Sequence, residues 1–217
     1  MSLPSAPSDR TRVRRMPARG GYDRAVIDAI LDEALTCHVG FVKDGSPFVI
    51  PTLHWRMGDE LLLHGSAASR MLEHAGSDVE LCVTVTLLDG IVLARSAFHH
   101  SLNYRSVVVF GRARLVTERA EKLAALSQLV NRFSPGRAER VRGPNAQELK
   151  ATSVLALPIS EASAKVRSGG PIDDEEDLSL PVWAGVIPVR LQALAAEVAE
   201  PSVPGEPAPS LGFPFGV

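Results

Sequence analysis

The stretch "CHVGFVKDGSPFVIPTLHWRMGDELLLHG", Cys37 to Gly65, decides the fold. It holds three short apolar runs, about 37–43, 47–56 and 60–64, each too short for a helix and rich in Val, Ile, Leu, Phe and Trp. Asp44-Gly45 separates the first two and Met57-Gly58-Asp59 the last two. An Asp-Gly pair tolerates the positive φ angles of a tight hairpin, so the stretch reads as three successive antiparallel strands. Pro51 stands inside the middle run. It cannot donate to a ladder, which puts it on an edge or at a bend. The backbone groups freed beside it could then meet the rim of a flat heterocycle; the alternative is an ordinary edge-strand proline.

Outward from that core the pattern stays mainly β. Upstream, "YDRAVIDAILDEA" carries Val26, Ile27, Ile30 and Leu31 at helical spacing with Asp23 as its cap. Downstream, a short helix is expected over about 67–75. "VELCVTVTLLDGIVLARSAF" reads as two strands turning at Asp89-Gly90, and "YRSVVVFGRARLVT" as one long strand. "EKLAALSQLVNRF", with Leu123, Leu126, Leu129, Val130 and Phe133, predicts an amphipathic helix. A shorter helix over 145–150 precedes a final strand pair or bent strand in "SVLALPISEASAKVRSG". Six or seven short strands with peripheral helices predict a closed antiparallel β-barrel. No strand–helix–strand rhythm repeats, and neither G-x-G-x-x-G nor G-x-x-x-x-G-K-[ST] occurs, so a Rossmann or P-loop nucleotide site is not expected.

The 217 residues, 45% hydrophobic and 22% charged, suit one globular domain, placed at 21–195. A basic arm, 1–20, precedes it, with Arg10, Arg12, Arg14, Arg15 and Arg19; it is expected to be flexible and solvated. A Pro-rich tail, 196–217, follows, whose Phe213 and Phe215 could clip onto a neighbouring surface. A net charge of −2 gives no general attraction to nucleic acid or to an acidic membrane. No apolar run is long enough to span a bilayer, and the first residues lack a secretory pattern. Cys37 and Cys82, both in strand-like runs, read as reduced buried thiols in a cytoplasmic protein.

Three places hold candidate chemistry. In "LLLHGSAASRML" a strand stops at His64-Gly65, Ser66 can cap a helix, and Ser69 and Arg70 follow in its first turns. Unpaired first-turn amides, two hydroxyls and a guanidinium suit a phosphate; a plain capped helix with a surface arginine is the alternative. The segment from Ala94 to Gly111 crowds Arg95, Ser96, His99, His100, Ser101, Asn103, Tyr104, Arg105 and Ser106 between two strands, as for a loop meeting a ligand or a partner subunit. His99 and His100 are adjacent, so on an extended chain they face opposite ways and no metal is expected there. The stretch "PFVIPTLHWR" around Pro51 forms the third place. The acidic run Asp173–Asp177 lacks the spacing of a calcium loop and reads as a solvated turn.

Taken in order, "VGFVKDGSPFVIPTLHWRMGDELLLHGSAASRMLEHA", "VTVTLLDG" and "NYRSVVVFGRARLVTERAEKLAAL" resemble the pyridoxamine 5′-phosphate oxidase-like, FMN-binding split-barrel superfamily, nearest to its 5-nitroimidazole reductase-related branch. The resemblance runs over about 22–190. It implies a split β-barrel homodimer with FMN at each of two subunit-interface sites. The flavin ring would lie against Pro51, Thr52 and Leu53, its phosphate at His64, Gly65, Ser66, Ser69 and Arg70, and Asn103, Tyr104, Arg105 and Ser106 near the cofactor or the dimer seam. The Arg-rich C-terminal substrate segment of the full oxidase pattern is absent, which argues against pyridoxamine phosphate oxidation.

The function this implies is an FMN-dependent oxidoreductase that passes electrons from NADH or NADPH to a small nitroaromatic or related acceptor. Arg105, and after it Arg95, would favour the anionic reduced ring. His99 or His100 would donate a proton, and Trp183 would wall the ring or the substrate, or else serve core or interface packing. Two alternatives stand beside it: a flavin-binding sensor without turnover, and the same barrel holding haem or a deazaflavin, where His64 or His99 would matter most.

Overall fold

The computed structural model describes residues 5–67, 79–199 and 207–213. In chain order these form β1 (Gly20–Gly21), α1 (Arg24–Glu33), β2 (Thr36–Lys43), β3 (Ser46–Met57), β4 (Glu60–Ser66), β5 (Glu80–Leu93), β6 (Ser101–Arg112) and β7 (Arg114–Leu115). Then come α2 (Arg119–Phe133), α3 (Ala146–Ala151), β8 (Thr152–Pro158), β9 (Glu161–Arg167) and β10 (Gly185–Pro188). The helix expected over 67–75 falls almost entirely outside the described residues.

Among the described residues the strands make one antiparallel sheet in the order β1-β9-β6-β5-β2-β3-β4-β8-β7, with β10 added on β5. β7 follows β6 after a single residue and pairs with β8 through Arg114↔Ala156 and Leu115↔Leu155. One continuous strand path, β6 into β7, thus links the β6 part of the sheet to its β8 edge, which closes it into a split β-barrel. The Asp44-Gly45 hairpin forms with φ of 51° and 74°, both positive, as a primed turn requires.

Asp89-Gly90, expected to turn, does not. β5 runs straight through it, paired with β6 from Glu80↔Arg112 to Val92↔Ser101, with a register shift between Leu88 and Gly90. Asp89 is the extra residue of a β-bulge. Two neighbours hold this strand straight, β6 and β10; a Cβ at Gly90 would come within 2.9 Å of Val186 Cγ1, so glycine lets β10 approach.

The barrel is filled by residues such as Val39, Phe41, Leu61, Leu63, Val83, Val85, Val107, Val109, Leu155 and Leu157. α1, capped by Asp23 Oδ1 on the Ala25 and Val26 amides, inserts Ile27, Ile30 and Leu31 into that core. A second cluster, Trp55, Leu62, Val116, Ala125, Leu129, Val154 and Ala156, seats α2 on the outside. α3 carries a capping box between Asn145 and Glu148.

Both ends of the described chain touch the barrel. Arg10 pairs with Glu80 and Glu161 and lies 4.9 Å above the Phe110 ring, and Thr11 is buried. At the other end the Gly212 amide donates to Phe133 O at 2.9 Å, and Phe213 packs against Phe133 and under Arg132.

Candidate functional site

The site grows from one parting of strands. β3 pairs with β2 from Ser46 to Leu53, then with β4 from His54 to Met57. β4 pairs with β8 along its whole length but with β3 only up to Leu63, so His64, Gly65 and Ser66 keep Val154, Ser153 and Thr152 of β8 and have no β3 partner. Beyond His54↔Leu63 the two strands therefore diverge. Among the described residues the outer edge of Pro51, Thr52 and Leu53 meets no strand, and the His64–Ser66 corner lies across that wedge. Pro51 sits where a missing amide hydrogen breaks no ladder bond. His64 keeps Nδ1 buried without a partner and packs edge-on to Trp55 at 5.7 Å; burial lowers its pKa. Ser69 and Arg70 lie outside the described residues.

Directly opposed residues share one face of a sheet. Register therefore builds a continuous outer face: Pro51–His38–Thr84–Val108–Ser163 in one row, and Val49–Gly40–Cys82–Phe110–Glu161 in the next. Thr86 faces Ser106 one step further on. The middle of this face, around Pro51, His38, Thr84 and Val108, is small and uncharged, with Val49 67% and Val42 57% exposed nearby; Glu161 and Glu80, paired with Arg10, mark its far edge. Sequence reasoning passed over His38, which stands opposite Pro51; the period-2 alternation of Cys37, Val39 and Phe41 was the signal that would have placed it outside.

The polar loop divides. Ser106 and Tyr104 lie on the outer face, and Ser106 Oγ donates to Lys165 O at 3.2 Å. Arg105 sits instead at the barrel end, lining a cleft of about 670 Å³ with Glu33, Thr86, Leu88, Asp89 and Arg190. Its guanidinium is held between Glu33 and Asp89, whose hydrogen bonds raise its pKa. Asn103 is buried and donates to Gly169 O at 3.0 Å.

His99 and His100 precede β6, nine and eight residues or roughly 26–30 Å along the chain from Val108, so one subunit does not bring them to Pro51. His99 Nε2 lies 3.1 Å from Asp174 Oδ2, and His100 Nδ1 lies 2.9 Å from Ser96 O. Beside them Phe98 is 89% exposed. The acidic run is not wholly the solvated turn the sequence suggests. Asp173 has a buried side chain that accepts from the Arg95 amide and guanidinium at 2.9 and 2.7 Å. Burial works against that carboxylate, but the Arg95 contacts outweigh it and hold its pKa down. Trp183 is largely exposed, with its ring over Gly185 at the start of β10. Among the described residues no group of three or more His, Cys, Asp or Glu side chains is placed to hold a metal ion. No described helix is long and apolar enough to cross a membrane.

A barrel divided at this wedge, with the His64–Ser66 corner on one side and a flat outer face on the other, defines a known class. Residues 23–166 match the family model described as pyridoxamine 5′-phosphate oxidase, and the chain belongs to that family. Among solved structures it is similar to the flavocytochrome Anf3 from Azotobacter vinelandii, with 46% identity and a TM-score of 0.92, over 98% of this chain and 100% of that one. It is also similar to the FAD and haem binding protein from Mycobacterium smegmatis, with 37% identity and a TM-score of 0.84, over 88% and 94%. A Bacteroides thetaiotaomicron protein named for 5-nitroimidazole antibiotic resistance shares the fold, at 22% identity and a TM-score of 0.57 over 68% and 86%. A search of curated proteins found no match.

Proposed function

We propose that this chain is a flavin- and haem-binding redox protein that works as a homodimer. The observation that carries the flavin reading is the wedge between Pro51–Leu53 and His64–Ser66. It offers an unpaired backbone edge and, across from it, a corner with serine and glycine. The names of the two relatives above 35% identity support the cofactor classes. FMN is the form expected from the sequence; the Mycobacterium smegmatis relative favours FAD, and the proposal takes FAD.

The residues present fit these groups. The backbone of Pro51, Thr52 and Leu53 would orient a flat ring, and His64, Gly65 and Ser66, with Ser69 and Arg70, would hold a phosphate. The uncharged outer face around His38, Thr84 and Val108 suits a second copy of the chain, which would exclude water from the ring. His99 and His100, next to an exposed Phe98, suit a haem edge and can hold or move a proton at their free ring nitrogens. When bound, a flavin supplies hydride and single-electron transfer and haem supplies single-electron transfer. A reduced pyridine nucleotide is the proposed donor and a small nitroaromatic or related compound the proposed acceptor. Free Cys37 and Cys82 agree with a reducing, cytoplasmic setting.

The test is the visible spectrum of the purified protein, followed by anaerobic addition of NADH or NADPH. Flavin and Soret bands, with bleaching of the flavin, are expected. A spectrum that stays unbleached makes the chain a sensor without turnover. A colourless monomer that takes up neither added FAD, FMN nor haemin ends the proposal.

A further inference from the structure

Arg167, the last residue of β9, is 5% exposed, and no carboxylate lies within ion-pair distance among the described residues. Its Nη1 donates to Asn103 Oδ1 and, at 3.2 Å, to Gly169 O, and its Nη2 donates to Gly170 O at 3.0 Å. All three acceptors are neutral. Its Nε is buried with no partner at all. Nearby stand a second cation, Arg19, which directly precedes the Gly20↔Lys165 pair of β1 and β9, and Tyr104, the direct cross-strand neighbour of Arg167.

This is unlike the other arginines of the barrel. Arg10, Arg56, Arg95, Arg105 and Arg114 each meet a carboxylate. Arg132 also rests on carbonyls, those of Leu31, Asp32 and Ala34, but they form the negative end of α1, and Asp32 stands close. Arg167 has neither compensation. A buried charge is normally paired, and a guanidinium with free N–H groups is built to receive an oxyanion. The sequence arranges this deliberately: Gly169 at φ 93° turns the chain so that two glycine carbonyls hold the planar group in place without neutralising it.

We propose that Arg167, with Arg19 and Tyr104 beside it, is an oxyanion site that receives a phosphate or carboxylate of a ligand bound at this end of the barrel. The source of the oxyanion, though not the site, rests on the cofactor reading: a dinucleotide pyrophosphate or a haem propionate supplies the same chemistry.

The test compares the full wild-type chain with Arg167→Met and with Arg19→Ala, which changes only a half-exposed side chain. Inorganic pyrophosphate is expected to raise the melting temperature of the ligand-free wild type and not that of Arg167→Met. Without any anion, Arg167→Met is expected to melt no lower than wild type, because it removes an uncompensated charge. In titrations with FAD, FMN, haemin and haemin dimethyl ester, both variants should bind the ligand that supplies the oxyanion on the order of ten- to a hundredfold more weakly. Loss confined to FAD identifies the pyrophosphate; loss for haemin but not its dimethyl ester identifies a propionate. If the chain binds no flavin or haem, the pyrophosphate arm still reads the site. Wild-type affinity for every probe in Arg19→Ala, and in Arg167→Met where it folds, overturns the proposal. So does a ligand-free Arg167→Met that melts well below wild type while pyrophosphate stabilises neither.

Discussion

Arg105 and Asp89 meet as a two-pronged pair: Nε lies 3.0 Å from one carboxylate oxygen and Nη2 lies 2.7 Å from the other. The bulge in β5 aims Asp89 at this arginine. Glu33, the last residue of α1, closes the far side, with Nη2 of the same guanidinium 2.7 Å from Glu33 Oε1.

Removing the arginine leaves two carboxylates facing each other across the cleft. All three side chains are about one-third exposed, so screening limits the effect. Arg105→Met is expected to lower unfolding stability by about 1 kcal/mol, and adding Glu33→Gln to restore much of it. Urea unfolding of the single and double variants measures the coupling; simple additivity contradicts it.

His54 sets an acid limit. Its Nε2 lies 3.0 Å from Leu31 O, and burial drives its pKa from 6.5 to about 4. The unfolded chain takes up a proton below pH 6.5 that the folded chain refuses until about pH 4. Stability is therefore full above pH 6.5 and falls between these values, by about 3 kcal/mol in all. His64, also lowered by burial, acts in the same sense. Urea midpoints measured between pH 7 and pH 4 should decline for wild type and decline less for His54→Leu.

The thiols report on the outer face. Cys37 is fully buried and its pKa is pushed up to about 12 by burial, so it should resist alkylation at pH 8 until the chain unfolds. Cys82 is half-buried, with its pKa also raised by burial, and lies on the outer face beside Gly40 and Phe110. It should label in the folded monomer and become protected as protein concentration rises. Labelling independent of concentration removes this face from any dimer.

The tail is joined to the cleft through one arginine. Phe213 lies under Arg132, 5.1 Å from ring centre to guanidinium carbon, and Arg132 caps the end of α1 next to Glu33. A Cβ at Gly212 would fall 2.2 Å from Arg132 O. Gly212→Ala is therefore expected to release the segment at a cost of about 1–2 kcal/mol and to speed amide exchange at residues 31–34. Exchange unchanged there shows that the contact is idle.

Much of the fold was legible because it follows from local rules. Asp23 caps α1, Asp44-Gly45 turns, and alternation sorts Val39, Val83 and Val107 inward. The same rules misread β5, since Asp89-Gly90 is the same dipeptide as Asp44-Gly45. Nothing within the strand says that β6 and β10 will flank it and hold it straight. The site was legible in part for the same reason. Pro51 and the His64–Ser66 corner carry their own signals of broken pairing. His38 becomes visible only when strand register sets it opposite Pro51.

The sequence by itself determined which residues could pair, turn and cap, because those preferences act over two to four neighbouring positions. Only the tertiary structure decided where charges find partners. Whether Arg105 has two carboxylates and Arg167 none depends on groups that lie 16, 64 and 72 positions away in the chain. Electrostatic energy depends on distance in space, and folding alone sets that distance.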